Sequence, residues 1–276
     1  MPETEKPKIR VIEINYLQDF SRSVLNENNP AIIEEKLNWF LEHYEVINYY
    51  LETQVIWRVR RCKSPEGYRN VNELSYPPKS LTPVGRLNEK GSPIFYASFH
   101  KHTALEEIGA REGDYVHLSG YKVGSERKLR GGIVGEIVNV HRSGRSSISD
   151  ELAKGLNGIL HKMPHKSGMS YVFMDAFVSS ILRDKKAKEN NYIHSRVLSK
   201  LLLNSLEGRL DAIFYPSIAL EGAMNVAIKP ESVRSTVKMI GNSVIKILKK
   251  NDYGIYDFEI VKNANGFYSN GEIKWQ

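Results

Sequence analysis

The 276-residue sequence is poor in cysteine and has no long hydrophobic run. Its single cysteine, Cys62, excludes an intramolecular disulfide framework and a cysteine-rich zinc site, and it suits a reducing cytoplasm. The first fifteen residues are polar and charged and lack the apolar stretch of a secretory signal. No apolar run approaches the roughly 20 residues that a membrane span needs. We therefore expect a cytoplasmic protein without a membrane partner.

Several catalytic signatures are also missing. The sequence contains no GxGxxG after a strand pattern, no Walker motif, no HExxH and no GxSxG. Their absence disfavours hydride transfer on a Rossmann site, P-loop hydrolysis and zincin proteolysis. The glycines Gly131, Gly132 and Gly135 resemble a phosphate loop but lack its Lys-Ser/Thr ending, so we interpret them as turn and bulge glycines.

The composition is that of an ordinary globular protein with a surplus of basic residues. Hydrophobic residues make up 41% and charged residues 26% of the chain, which is enough for a sizeable core. The formal net charge of +7 suits a nucleotide, a nucleic acid or an acidic protein as partner. The basic clusters are short and none forms a tail, so a solvated surface explains most of them.

The spacing of apolar residues predicts an α+β protein. The pair Asn29-Pro30 starts an amphipathic helix that keeps helical spacing to about residue 52. We expect residues 1–10 to form a disordered leader. Strand patterns outnumber helices after residue 53, which predicts a mixed β-sheet core with flanking helices. We divide the chain into an N-terminal extension, 1–53, and a main domain, 54–276.

The later elements follow from periodicity and turn residues. Residues 235–250 predict two strands interrupted at Gly241. Asn265-Gly266 and Asn270-Gly271 predict hairpin turns in a C-terminal β extension. The other predicted elements are strands at 55–61, 115–118, 120–123, 133–140, 211–219 and 225–228, and helices at 151–161 and 192–206.

The segment 83–108 contains several side chains that could bind a ligand or take part in catalysis. Its sequence, PVGRLNEKGSPIFYASFHKHTALEEI, predicts a tight turn, a strand near Tyr96 and the start of a helix. Thr103 and Glu106 have the spacing of a capping box, which gives Glu106 a structural task at the helix start. Glu107 has no such local task, so it is a candidate functional group together with Arg86 and Tyr96.

Arginine, tyrosine, glutamate and serine near the ends of predicted elements suit an anionic nucleotide with a reactive glycosidic bond. Arginine makes bidentate contacts to a pyrophosphate, and a tyrosine ring stacks on a flat heterocycle. A carboxylate stabilises the oxocarbenium-like centre that forms when an N-glycosidic bond breaks. Structural ion pairs and buried tyrosines produce the same residue types, so the types alone do not decide.

The order and spacing of these residues are more specific. The pattern is Trp57-Arg58, then Gly85-Arg86-x-Asn88-x-x-Gly91-x-Pro93-x-x-Tyr96, then Ala104-Leu105-Glu106-Glu107-Ile108, then Tyr215-Pro216-Ser217, then Asn225-Val-Ala-Ile228. With this pattern the sequence resembles the RES-domain family, best known as the toxins of bacterial RES–Xre toxin–antitoxin pairs. The resemblance covers about residues 55 to 230 and is densest in 83–108.

This resemblance implies an ADP-ribosyltransferase-like fold and an enzyme that cleaves the nicotinamide N-glycosidic bond of NAD, with water or phosphate as acceptor. NAD is then the substrate, no cofactor or metal is required, and a separate Xre-type antitoxin chain is the expected protein partner. Arg58 and Arg86 would hold the phosphates or the nicotinamide-side ribose. Tyr96 would stack near the nicotinamide, Glu107 would be the catalytic carboxylate, and Ser217 would line the pocket.

The chain also departs from a compact member of that family. Leu87 stands where the family usually has tryptophan. The helical extension, an insertion around 141–191 and the C-terminal β extension add further segments. These segments would narrow the pocket, add an acceptor site or build a contact in a homo-oligomer.

Other interpretations stay open. The same fold suits ADP-ribose transfer onto a protein or nucleic acid, and a basic binding module with a decayed site is a further alternative. Glu107 would then be a surface charge, Tyr96 a core residue and Ser217 a chain cap, and Arg60 competes with Arg58 for the pocket-facing position. The sequence has no helix-turn-helix pattern, which argues against nucleic acid as the main partner.

Overall fold

The computed structural model describes residues 12–124, 126–205 and 210–276. The leader predicted at 1–10 lies outside the described residues. Within the described part, no helix combines the length and the apolar character needed to cross a membrane.

The α-helices of the described chain lie before the first strand and between later strands. They are α1 (Ile14–Leu25), α2 (Pro30–Leu41), α3 (Lys101–Glu107), α4 (Glu136–Ser143), α5 (Asp150–Lys162), α6 (His165–Leu182), α7 (Ile193–Ser205) and α8 (Pro230–Thr236). α5 and α7 match the helices predicted at 151–161 and 192–206, and Ser149 caps α5 by accepting a hydrogen bond from the Leu152 amide.

The strands of the described chain form a single mixed sheet. They are β1 (Ile47–Leu51), β2 (Val55–Cys62), β3 (Phe95–Ser98), β4 (Tyr115–Val123), β5 (Leu129–Ile133), β6 (Ala212–Pro216), β7 (Met224–Ile228), β8 (Val237–Lys250), β9 (Tyr256–Phe267) and β10 (Ile273–Trp275). Their order is β1-β5-β6-β7-β3-β2-β4-β8-β9-β10. β5 and β6 run parallel, while the other described neighbours run antiparallel. The predicted α+β class, with a mixed sheet, flanking helices and an N-terminal amphipathic helix, is confirmed.

Two apolar clusters join the helices to the sheet. The larger one packs α1, α2, α6 and α7 against the β1 half of the sheet and contains the stacked or edge-on rings of Phe20, Phe40 and Phe177. The smaller one packs Leu105 of α3 against β2, β4 and β8. Burial of these side chains supplies the main stabilisation of the fold.

The helix predicted from Asn29 is shorter than its apolar spacing suggested. The Asn29 side chain caps α2 as predicted, but the helix ends at Leu41. The chain then turns and forms β1, which pairs with β5. Pairing and packing at this sheet edge override local helical spacing: a Cβ atom on Gly132 would lie 2.9 Å from Val46, so this glycine permits the close approach. The 1–53 extension therefore supplies an edge strand of the main sheet.

The strand predicted at 133–140 is wrong. β5 ends at the start of this segment and α4 occupies most of the rest. Gly135 has φ of +86°, a left-handed conformation that few other residues adopt. The Asp175 carboxylate accepts hydrogen bonds from the amides of Gly135 at 2.8 Å and Val138 at 2.9 Å, which satisfies the N-terminus of α4. Gly135 is therefore a turn glycine, as predicted.

The C-terminal β extension is more continuous than predicted. α8 takes the first residues of 235–250, and β8 then runs through Gly241 as one strand, with a register shift that leaves Ile240 unpaired. Asn270-Gly271 lies between β9 and β10, as the predicted hairpin requires. The turn predicted at Asn265-Gly266 is wrong, because both residues lie within β9 opposite a register shift in β10.

Candidate active site

A cavity of about 250 Å³ is lined by β2, β3, α3, β6, β7, the turn before β3 and the residue before α7. Its walls contain four of the five predicted site residues: Arg58, Arg86, Tyr96 and Glu107. The remaining lining residues are Trp57, Val59, Gly85, Ala97, Ser98, Ala104, Ile108, Tyr192, Tyr215 and Asn225. Segments far apart in sequence thus meet around Glu107.

Glu107 lies at the end of α3 and is hydrogen-bonded through one oxygen atom. Its Oε1 accepts from the Ser217 hydroxyl at 2.7 Å and from the Asn225 side-chain amide at 2.6 Å. Its Oε2 lies 3.9 Å from Nη2 of Arg86 and makes no hydrogen bond within the described residues. The carboxylate therefore has a fixed orientation and keeps one oxygen available for chemistry.

The two donors to Glu107 are themselves held in place. The Ser98 hydroxyl on β3 donates to Oδ1 of Asn225 at 2.6 Å, so the Asn225 amide nitrogen points at the carboxylate. The Ser217 hydroxyl accepts from the amides of Ala219 and Leu220, both at 3.1 Å, which leaves its proton for Glu107. Ser217 thus caps the chain after β6 and also orients Glu107, rather than forming a wall of the cavity.

Arg86 is the least satisfied polar group of the site. Among the residues that the structure describes, its buried Nε and Nη1 atoms have no hydrogen-bond partner, and Nη2 is beyond hydrogen-bond distance of Glu107. A buried N–H group without an acceptor is costly, and such groups in a folded protein call for an explanation. The guanidinium charge beside an open cavity suits an anionic ligand.

The turn that carries Arg86 is locked by Tyr96. The Tyr96 hydroxyl donates to Oδ1 of Asn88 at 2.9 Å and accepts from the Leu87 amide at 3.0 Å. Burial raises the pKa of Tyr96 well above its usual value, so this hydroxyl stays protonated. A Cβ atom on Gly85 would lie 2.3 Å from Asn88 Oδ1. The predicted stacking of the Tyr96 ring on nicotinamide stays a prediction, while its hydroxyl already fixes the turn.

Arg58, rather than Arg60, lines the cavity. Its guanidinium donates to three backbone carbonyls, those of Tyr96 at 2.6 Å, Leu74 at 3.1 Å and Ser75 at 3.2 Å. Burial lowers the pKa of Arg58 from its usual value. The Arg60 guanidinium instead lies 4.6 Å from the centre of the Tyr68 ring. Arg58 therefore braces β2, β3 and the 71–75 loop, and its predicted contact with phosphate stays a prediction.

The capping box predicted for Glu106 is wrong. α3 begins at Lys101, which places Thr103 inside the helix, where it is fully buried. Glu106 instead accepts hydrogen bonds from the Tyr256 hydroxyl at 2.8 Å and from Lys250 at 3.0 Å. Glu106 therefore has a structural role, but through hydrogen bonds to the C-terminal strands. Glu107 is the glutamate that lines the cavity.

Ten lining residues were not predicted as site residues, among them Trp57, Tyr192, Tyr215 and Asn225. Trp57, Tyr215 and Asn225 belong to the spaced pattern in the sequence, and Asn225 pairs with Ser98 in register across β3 and β7. That pairing follows only from the strand order, which the sequence did not provide. Tyr192 carries no sequence signal, because it reaches the cavity through an unusual backbone conformation just before α7.

Comparison with known proteins places the chain in a family. No curated protein sequence matches it significantly. Among solved structures, the crystal structure of the M. tuberculosis MbcT–MbcA toxin–antitoxin complex is distantly similar, with 8% identity, a TM-score of 0.38, and coverage of 75% of this chain and 91% of that chain. The RES domain model matches residues 55–243, a span that contains every residue lining the cavity. This chain belongs to the RES domain family.

Proposed function

We propose that this chain is a RES-type toxin or effector that degrades NAD by cleaving its nicotinamide N-glycosidic bond, with water or phosphate as the acceptor. One observation carries the proposal: a carboxylate fixed through Oε1 lies beside an arginine whose buried Nε and Nη1 atoms have no hydrogen-bond partner within the described residues. These groups are Glu107 and Arg86. Membership of the RES domain family supports the same substrate, since the resemblance implies NAD cleavage.

The chemistry places a positive charge next to Glu107. When the bond between C1′ of the ribose and the ring nitrogen breaks, its electron pair goes to the ring, and nicotinamide leaves as a neutral molecule. The ribosyl centre becomes oxocarbenium-like, and a preorganised carboxylate stabilises it better than mobile water does. Glu107 also orients the attacking water or phosphate, which forms the new bond at C1′; a water would lose its proton to the carboxylate or to solvent.

The two arginines supply different contacts in this proposal. Arg86 binds a phosphate or the adjacent ribose, because an anionic oxygen provides the acceptors that its buried donors lack. Arg58 keeps its N–H groups on backbone carbonyls and adds positive charge to the cavity wall. No metal or cofactor is required. A separate Xre-type antitoxin chain that covers the cavity mouth is the proposed protein partner.

The proposal is tested by incubating the purified chain with NAD and measuring nicotinamide release. Glu107→Gln keeps the size of the side chain and removes its charge, so we expect kcat to fall about 100- to 1,000-fold. Arg86→Ala should raise KM by at least about 10-fold, because it removes a charged contact to the substrate. Glu106→Gln is the matched control, since it changes the neighbouring glutamate outside the cavity and should keep near wild-type activity.

Each outcome has a clear meaning. No nicotinamide release by the wild type would contradict the function. Full activity of both Glu107→Gln and Arg86→Ala would contradict the site. Labelled NAD identifies the acceptor, because label on a protein or nucleic acid, instead of on free ADP-ribose or its phosphate, would make the chain an ADP-ribosyltransferase.

A further inference from the structure

The residue before α7 has a strained backbone. Asn191 and Tyr192 have φ values of +55° and +59°, so two consecutive residues other than glycine are left-handed. Asparagine tolerates this conformation, but a bulky aromatic residue rarely adopts it. The Tyr192 amide donates to the Ala187 carbonyl at 2.6 Å and its carbonyl accepts from the Arg196 amide at 2.9 Å, so the surrounding fold holds the strain. Strain of this kind concentrates at functional sites.

The strained backbone delivers the Tyr192 side chain to the cavity. The residue is half-buried, and its hydroxyl makes no hydrogen bond within the described residues. The Tyr96 hydroxyl in the same cavity differs, because it both donates and accepts within the protein. Tyr192 therefore lines the cavity with a hydroxyl that has no partner within the described residues, and the bonds that hold the residue are made by its backbone.

The helix that follows Tyr192 is tied to the turn that carries Arg86. The Ser199 hydroxyl of α7 donates to the Leu87 carbonyl at 2.8 Å, and Arg196 forms an ion pair with Glu89. Leu87, which replaces the usual tryptophan of the family, is buried beside this contact. The segment added around 141–191 thus ends on a tyrosine whose position relative to Arg86 is fixed through α7.

We propose that Tyr192 is a specificity-determining residue that contacts the nicotinamide end of the substrate. The cavity, about 250 Å³, contains Glu107 and is smaller than the sites typical of whole drug-sized ligands, so the reacting end of NAD is the part that enters it. The nicotinamide ring of NAD is planar and positively charged, and the face of a tyrosine attracts such a ring through stacking and cation–π interaction. This inference rests on the proposed function and assigns to Tyr192 the recognition of the leaving group.

The test separates the two ends of the substrate. NAD and ADP-ribose, which lacks nicotinamide, are titrated calorimetrically into full-length Glu107→Gln protein, so that NAD survives the measurement. Combining Tyr192→Ala with Glu107→Gln should weaken NAD binding about 10-fold or more and leave ADP-ribose binding unchanged. A loss of this size is in the range found for a base stacked on an aromatic side chain. Tyr192→Phe should lose only a few-fold. In the otherwise wild-type enzyme, Tyr192→Ala should raise KM more than it lowers kcat.

Tyr253→Ala is the matched control. Tyr253 is also a left-handed tyrosine, with φ of +61°, but the residue is 91% exposed and does not line the cavity. Unchanged NAD binding in Tyr192→Ala, or an equal loss for NAD and ADP-ribose, would overturn the inference while the function stood. If Tyr192→Ala does not fold, Tyr192→Leu takes its place in the same comparison. If the wild type and the Tyr253→Ala control both fail to bind NAD and to release nicotinamide, the proposed function and this assignment are overturned together.

Discussion

Arg58 and Arg86 line the same cavity, but their guanidinium groups differ in hydrogen bonding. Arg58 donates to three backbone carbonyls from two segments, so its hydrogen bonds hold these two segments together. Arg86 has two buried nitrogen atoms without a partner in the described part of the chain, and its Nη2 lies 3.9 Å from Oε2 of Glu107. Both positions belong to the same sequence pattern, and the pattern does not separate them.

The difference shows how a structural charge and a ligand-binding charge are distinguished. A charge whose nitrogen atoms are each hydrogen-bonded within the protein stabilises the arrangement around it, and its removal takes donors away from its partners. A buried charge with unused donors lowers stability until a ligand supplies the acceptors. Arg58 belongs to the first kind and Arg86 to the second, so replacing each one should affect different measurements.

The largest effect on stability is expected from Arg58→Ala. It removes the guanidinium donors from the carbonyls of Ser75 and Tyr96 and leaves the Leu74 carbonyl with the Tyr121 hydroxyl as its remaining side-chain donor, so we expect the free energy of unfolding to fall by about 3 kcal/mol. Urea unfolding followed by circular dichroism measures this change. Arg86→Ala is the control: it should leave the unfolding curve near that of the wild type, and an equal loss in both variants would remove the distinction.

A smaller effect is expected from the groups that orient Glu107. Ser217→Ala removes one of the two donors to Oε1, and hydrogen bonds to charged groups are worth roughly 1.5–3 kcal/mol, so kcat for nicotinamide release should fall about 10- to 100-fold. The measurement is steady-state kinetics, with thermal unfolding as a check of the fold.

Ser98→Ala is the control for that comparison. Ser98 acts one step further away, by holding Oδ1 of Asn225, so its loss should lower kcat only a few-fold. A larger loss in Ser98→Ala than in Ser217→Ala would show that the Asn225 amide alone orients the carboxylate. This result would move the positioning role from β6 to β7.

Much of this arrangement could be predicted from the sequence because local signals and spacing agreed. Glu107 lines the cavity and its catalytic role stays a prediction, while the capping-box argument for Glu106 was wrong: Glu106 contacts Lys250 and Tyr256, which lie more than a hundred residues away. Glu107 emerged because the family spacing is local to 83–108, where the turn, β3 and α3 follow one another directly.

The missing parts depend on tertiary structure. β1 forms because β5 offers an edge to pair with, a contact between segments about 80 residues apart, and helical spacing in the sequence gives no hint of it. Asn225 meets Glu107 only because β7 lies beside β3 in the sheet. The position of Tyr192 in the cavity depends on two consecutive residues with left-handed backbone conformation, which a tyrosine rarely adopts.

The smallest effect extends the comparison to a buried histidine on β4, the strand that pairs with β2. His117 on β4 is fully buried; its Nε2 accepts from the Tyr68 amide at 2.7 Å and its Nδ1 contacts Oδ1 of Asn242 at 3.0 Å. Like Arg58, it has partners on both sides, but here they fit the neutral form, because protonated Nε2 would point its N–H at the amide N–H of Tyr68. Burial, with a smaller contribution from Lys262, lowers the pKa of His117 from its usual 6.5.

The sign of the pH effect follows from this lowered pKa. Below about pH 6.5, His117 binds a proton in the unfolded chain but stays neutral in the folded chain. The free energy of unfolding should therefore fall with decreasing pH until the folded-state pKa is reached. The contribution of this one group is at most about 1.4 kcal/mol per pH unit. Urea unfolding at pH 8.0 and pH 5.5 should show a smaller decrease for His117→Gln, whose side-chain oxygen can accept from Tyr68 without titrating. An equal decrease in both proteins would assign the acid sensitivity to other groups and leave Arg58 as the better example of a side chain held by hydrogen bonds within the protein.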